Sequence, residues 1–240
     1  VADVPVRRDR HGLFVRPQDF RRQVDRLRAW GYELLAFGPF VDRLSAGQGV
    51  GAAALTFDDG LVDNLDTLVP LLGELAVPAT VFPVSGWLGK RHPDAPWTRV
   101  MTEGELCELH RGGVEIGAHT ATHPDLTALP PDRVAAELRE GRAHLETLLG
   151  TTVDLLAYPY GEANPAVVAA AGAAGFRAAC RTQGRGSWSR PLDLPRQDMY
   201  NGANMLELRL KRDDRYEAIM GHRSARAVRR LVRMARATVR

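Results

Sequence analysis

Two cysteines, Cys107 and Cys180, and two lysines, Lys90 and Lys211, are all that 240 residues contain of these types. Two cysteines without CxxC spacing cannot build a disulfide framework or a thiolate cluster, so they read as buried small hydrophobes or idle thiols. No apolar run approaches the roughly 18 residues needed to cross a bilayer, and no charged start followed by an apolar stretch and a cleavage site opens the chain. The expectation is a soluble protein, with the cytoplasm slightly favoured. A Gly-rich nucleotide fingerprint is also missing, which argues against an open, doubly wound dinucleotide-binding sheet.

Acidic residues are absent after Glu217, whereas Arg223, Arg226, Arg229, Arg230, Arg233, Arg236 and Arg240 follow it. The net charge of only +3 therefore leaves residues 1–222 near neutral and sets off 223–240 as a basic C-terminal helix or tail. Val228, Leu231, Val232, Ala235 and Val239 lie at helical spacing opposite the arginines, as in a terminal helix docked on the domain with its arginines solvated. Peripheral contact with an anionic membrane or polymer is the alternative. No aromatic-basic motif accompanies the arginines, so no nucleic-acid partner is expected.

What is present is 45% hydrophobic and 25% charged residues, enough for one substantial core. Pro17–Trp30 reads as an amphipathic helix stopped by Gly31, and Tyr32–Phe37 as a strand. Strand 52–57 precedes a helix from Leu61 to Leu75 with a kink at Pro70, and strand 79–84 precedes a helix capped by Thr102 and Glu105. Strand 114–118, helix 132–149, strand 153–158, a helix opened by Asn164-Pro165 and strand 176–180 continue the pattern, and Leu194–Gln197 reads as a seventh strand. Such alternation implies a parallel sheet covered by helices, here an α/β fold closing as a distorted, incomplete (β/α) barrel of about seven strands.

Three short runs follow strand ends: Thr56-Phe57-Asp58-Asp59-Gly60, His119-Thr120-Ala121-Thr122-His123 and Tyr158-Pro159-Tyr160-Gly161. In a parallel barrel they meet on one face. His119 and His123 can point at one ion, Pro124 forbids a long helix through the pair, and a carboxylate from another strand end completes a three-ligand site open to water. Successive side chains at a strand end point in different directions, so one aspartate can bind metal while its neighbour faces the substrate water. An ionised aspartate, with an ordinary pKa of about 3.9, can take a proton from water acidified by a metal. Only three good ligands converge, which fits one ion rather than the pair used by many phosphoesterases.

In order and spacing, these runs, with Pro124 and Leu126, resemble the first three motifs of the polysaccharide deacetylase, or NodB-homology, family of carbohydrate esterases. The resemblance spans about 55–161. It implies a distorted β/α barrel that removes acetyl from N-acetylhexosamine units of a glycan or glycoconjugate. It implies Asp58 as general base, and Asp59, His119 and His123 as ligands of one divalent ion, commonly Zn2+. Pro159 and Tyr160 would line the substrate groove, with the Tyr160 N–H facing the oxyanion. Ala157 stands where many members carry an arginine that orients the base, and Arg196 is proposed to supply that cation beside Asp58. The acid that protonates the leaving amine is unassigned among His11, His222 and a residue before Val1. Trp97, in the loop 91–99, is the first choice among Trp87, Trp97 and Trp188 for stacking on a sugar. An O-acetyl polysaccharide esterase and an inactive carbohydrate-binding barrel are the alternatives; the intact Asp58, Asp59, His119 and His123 argue against the second.

Overall fold

The structure is a computed structural model and describes residues 1–5, 9, 14–182, 186–201 and 209. His11, His222 and the tail 223–240 lie outside the described residues. Helix α1 (Pro17–Ala29) has proline in its first turn and buries Phe20 and Val24, one helical turn apart. Gly31, at φ +81°, lets the chain reverse into β1 (Glu33–Leu35). The expected strand through Phe37 ends early, because Phe37–Ser45 is helix α2. Phe37, Phe40, Val41 and Leu44 recur at i, i+3, i+4 and i+7, and the first three are buried. The first N–H groups of a helix have no acceptor within it. Here Phe37 N–H donates to Thr80 Oγ1 at 2.7 Å and Gly38 N–H to Glu115 Oε2 at 2.9 Å. The glutamate also suits the positive end of the helix.

Strands β2 (Ala52–Ala54) and β3 (Thr56–Asp59) are two halves of one extended segment: β2 pairs with β1 and β3 with β4 (Thr80–Pro83). Strand β4 pairs in turn with β5 (Glu115–Ile116), and β6 (Leu155–Ala157) with β7 (Ala178–Cys180), every pairing parallel. Single bridges, Ala118 to Leu156 and Cys180 to Leu194, join the pieces. The result is an α/β fold in which the strands of the described residues form no closed sheet. The seventh strand expected at 194–197 is not formed; only Leu194 pairs, and Pro195, lacking an N–H, cannot extend the ladder.

Side chains alternate along these strands with period two. Val81, Ile116, Leu156 and Ala179 join the larger core against the helices, whereas Phe82, Leu155, Ala157, Ala178 and Cys180 face a second core. Phe37, Phe40 and Val41 of α2 fill that second core. Complete burial of a ring such as Phe82 contributes roughly 1.5–3 kcal/mol. Gly117 is required beside it, since a Cβ there would lie 2.2 Å from the Phe82 ring.

Between strands run the remaining helices. A π-helical turn (Asn64–Leu68) leads into α3 (Val69–Leu75), α4 (Glu103–Arg111) opens on the expected Thr102–Glu105 capping box, and α5 (Pro131–Leu149) and α6 (Pro165–Ala173) follow. No helix among the described residues is long and apolar enough to cross a membrane. Because all strand pairs are parallel, the ends of β3, β5, β6 and β7 emerge on one side of the molecule.

Candidate metal centre

Asp58 and Asp59 close β3. Asp59 takes φ +67° and Gly60 φ +72°, so the backbone swings left-handed at the strand end, where both carboxylates come within 4 Å of His119 Nε2, Asp58 Oδ2 at 3.9 Å and Asp59 Oδ1 at 3.8 Å. Glycine is needed next, because a Cβ at Gly60 would sit 2.7 Å from Pro83 Cβ. The Asp58 carboxylate receives a bidentate pair from Arg196, Nη1 to Oδ1 at 2.7 Å and Nη2 to Oδ2 at 2.5 Å. Arg196 also donates to Thr56 Oγ1 and to the Arg181 carbonyl, so both ends of its guanidinium are fixed. Asp59 Oδ1 faces two imidazoles, with His119 Nε2 and His123 Nε2 each 3.8 Å away.

The histidine loop leaves β5 through Gly117 and Ala118. Thr120 at φ +64° and His123 at φ +61° bend it tightly enough to return the second imidazole beside the first. Ring centroids of the pair are 4.7 Å apart. Thr120 Oγ1 accepts from His123 N–H at 2.9 Å. Helix α5 holds the loop from below: Glu137 accepts from Ala121 N–H, Thr122 N–H and Thr122 Oγ1 at 3.1, 2.8 and 2.6 Å. Gly141, one turn on, lets the helix approach, since a Cβ there would be 2.6 Å from the Thr120 carbonyl carbon. His119 Nδ1 lies 2.7 Å from the Ala157 carbonyl, which requires the proton on Nδ1 and leaves the Nε2 lone pair for the cluster.

Burial pushes the Asp58 carboxyl up, but the Arg196 guanidinium, and His119 behind it, outweigh this and hold it down at about 2. Arg196 is raised above its ordinary range, its burial outweighed by Asp58. His123 is pushed down to about 4, first by burial and then by the neighbouring His119 imidazole, so its ring is neutral and able to act as a ligand at neutral pH.

The structure thus brings Asp58, Asp59, His119, His123 and Arg196 together. Pro159 and Tyr160 lie in a single turn, Pro159–Gly161, directly after β6, in which Pro159 has no N–H to donate. Tyr160 takes φ +57°, is 56% exposed and lays its ring 4.6 Å from that of His123. Trp97 packs on Phe14, centroids 5.0 Å apart, and lines a cavity of about 430 Å³ with Val62, Arg91 and Arg99. The tryptophan against the imidazoles is Trp87, 5.1 Å from His123 and 5.3 Å from His92. Sequence reasoning missed His92, whose Nε2 is 3.3 Å from Asp59 Oδ2. It also missed Glu137, although an acid inside the buried stripe Val134, Leu138, Gly141 and Leu145 is a legible anomaly.

One carboxylate and two imidazole nitrogens lie within 4.8 Å of one another at Asp59, His119 and His123. Asp59 Oδ1 is buried without a hydrogen-bond partner in the structure. A buried carboxylate oxygen left unpaired is costly, and a divalent cation would satisfy it together with the two Nε2 lone pairs. The donor set fits zinc and other first-row divalent ions.

A family profile described as polysaccharide deacetylase matches residues 46–179. A Rhizobium leguminosarum bv. trifolii chitooligosaccharide deacetylase is 33% identical over 138 residues, 57% of this chain and 59% of that protein. A Pestalotiopsis sp chitin deacetylase is 28% identical over 123 residues, 51% of this chain and 39% of that protein. The chain therefore spans about half the length of the curated relatives it matches. Among solved structures, the Streptococcus pyogenes deacetylase PplD in complex with acetate aligns with a TM-score of 0.74 at 22% identity, covering 88% of this chain and 93% of that one. At that identity the likeness speaks for a shared fold.

Proposed function

The chain belongs to the polysaccharide deacetylase family, and from that premise we propose that it is a metal-dependent hydrolase cleaving the acetamide of N-acetylhexosamine units in a glycan or glycoconjugate. The observation that carries this reading is the convergence of Asp59, His119 and His123 next to an Asp58 held ionised by Arg196. Relatives named for chitin and chitooligosaccharide deacetylation support the substrate class. We read the fold as an incomplete barrel, because single bridges continue the parallel order from β5 to β6 and from β7 to Leu194.

A divalent ion, which we take to be zinc, would be held by Asp59, His119 and His123, and when bound would supply Lewis acidity for water and the acetyl carbonyl. Asp58 acts as general base, taking a proton from the water that adds to the carbonyl carbon. Its low pKa makes it a weak base that is always in the acceptor form, and Arg196 fixes the direction from which it accepts. The Tyr160 N–H donates to the oxyanion that develops. Collapse breaks the carbon–nitrogen bond, releasing acetate and an amine that takes up a proton. His11 and His222, two of the candidates for delivering that proton, lie outside the described residues.

The test is acetate release from a panel of N-acetylated and O-acetylated sugars with zinc present. Release from the N-acetylated set, abolished in Asp58→Asn with metal content unchanged, is the expected result. Release only from esters would reassign the substrate class. Undiminished turnover in Asp58→Asn would remove the base.

A further inference from the structure

His92 lies in the loop between β4 and α4, far in sequence from the three motifs, yet its side chain reaches the carboxylate at the heart of the cluster. The ring is almost wholly buried, 2% exposed, and packs edge-on against Trp87. Both ring nitrogens are occupied. Nδ1 accepts from the backbone N–H of Asp94 at 3.2 Å, and a peptide N–H can only donate, so Nδ1 carries the lone pair. The neutral ring must then carry its proton on Nε2, which faces Asp59 Oδ2 at 3.3 Å. The loop backbone fixes the geometry: His92 N–H donates to Thr98 O, Ala95 N–H to His92 O, and Arg91 bridges Arg99.

The two oxygens of Asp59 are therefore divided. Oδ2 is engaged by His92, while Oδ1 has no hydrogen-bond partner and faces His119 and His123. We propose that His92 is a positioning residue that donates Nε2–H to Asp59 Oδ2 and thereby turns Oδ1 toward the imidazole pair as a one-oxygen ligand. A role as a further ligand is disfavoured by the same geometry, because a bare Nε2 would need the proton on Nδ1, pointing at the Asp94 N–H. The inference rests on the reading of Asp59 as a ligand under the proposed function. Partners that tie down the free oxygen of a ligating carboxylate typically govern metal affinity by about 10–100-fold.

The experiment measures Zn2+ affinity of the full chain, stripped of metal, by competition with a chromophoric chelator. His92→Phe keeps a ring against Trp87 and removes the donor; His92→Gln returns an N–H near the position of Nε2. The dissociation constant should rise about 10–100-fold in His92→Phe and return most of the way in His92→Gln. Wild-type affinity in His92→Phe overturns the proposal, as does equal weakening in both variants, which would mean packing alone. Should His92→Phe not fold, 15N chemical shifts of the wild-type imidazole decide. An Nε2–H tautomer with and without zinc supports the hydrogen bond, and an Nδ1–H tautomer or a zinc-bound Nε2 refutes it. Asp59→Ala separates the two readings: zinc retained there removes Asp59 as a ligand, whereas zinc lost there with His92→Phe unaffected removes only the role of His92.

Discussion

Replacing Arg196 by methionine removes the cation from Asp58 while keeping much of the volume of the side chain. The pair is largely enclosed, with Arg196 16% and Asp58 28% exposed, and the contact is bidentate. A carboxyl lowered from 3.8 to about 2 carries roughly 2 kcal/mol of folding stability at about 1.4 kcal/mol per unit. Because the folded pKa is below the unfolded one, that stability is present above pH 3.8 and fades as pH falls toward 2. Removing the guanidinium forfeits it and strands a charge in a site where burial alone pushes the pKa up. Breaking one side of such a pair typically costs about 3–5 kcal/mol, and the remaining solvent access places this case near the lower end. For a domain of this size that is a fall in Tm of roughly 6–12 °C at pH 7.

The sign of the pH dependence then reverses. In Arg196→Met burial pushes the Asp58 carboxyl up, opposed only by His119 and His123, so acidification from pH 7 toward 4 should recover part of the loss by protonating Asp58. Thermal unfolding of metal-free wild type, Arg196→Met, Asp58→Asn and the double variant, followed from pH 7 to pH 4, tests this. The cycle should return a coupling energy of about 2 kcal/mol at pH 7. Turnover of Arg196→Met should fall about 100-fold or more, as expected when a base loses its aim. An Arg196→Met protein as stable as wild type at pH 7, or one whose stability follows the same pH slope, would show that Arg196 does not hold Asp58 ionised.

Glu137→Gln keeps the shape but loses the charge behind three hydrogen bonds to the histidine loop; denaturant unfolding should show a loss of about 1–3 kcal/mol, and chelator competition a weaker hold on zinc. Gly141→Ala drives a methyl into the Thr120 backbone; a loss of about 1–3 kcal/mol with reduced zinc affinity is expected, whereas Gly104→Ala, where a Cβ meets nothing within 4 Å, should leave both unchanged. His123, pushed down to about 4, remains neutral in the folded chain at pH values where the unfolded chain begins to take up its proton. Stability of the metal-free protein should therefore fall as pH drops from 6.5 through 4, by up to about 3 kcal/mol, and His123→Phe should flatten that part of the profile.

Much of the frame was legible in the sequence because it rests on local signals. The capping box at Thr102, the Asn164-Pro165 start and the apolar runs before each motif all act over a few residues, and the parallel order follows from their alternation. Helix α2 is hidden in the sequence because Leu34-Leu35-Ala36-Phe37 is a continuous apolar run, which fits a strand, while the competing spacing of Phe37, Phe40, Val41 and Leu44 extends past it. Leu194 does pair in the expected parallel order, yet Pro195 stops the ladder after one bridge. His92 carried no readable signal: it lies in the polar loop Lys90-Arg91-His92-Pro93-Asp94, and only the folded path of that loop brings it to Asp59.

The left-handed backbone positions form the less visible half of the site. Among the described residues, Asp59, Ala76, Thr120, His123 and Tyr160 are the non-glycine positions with positive φ. Ala76 ends α3, an ordinary place for such a conformation. The other four all fall within the three motifs, where each costs on the order of 1 kcal/mol or more. Such strain survives only where surrounding contacts over-determine it, and here those contacts are identifiable. Arg196 pins Asp58 beside Asp59, Glu137 and the Thr120 hydroxyl pin the histidine loop, and the Tyr160 ring rests on His123. At the left-handed turn the adjacent aspartates share His119 and otherwise part company, Asp58 held by Arg196 and Asp59 faced by His123 and His92. A strand continued in ordinary β geometry would carry the second carboxylate away from His119 and His123, and the cluster would lose its one negative charge.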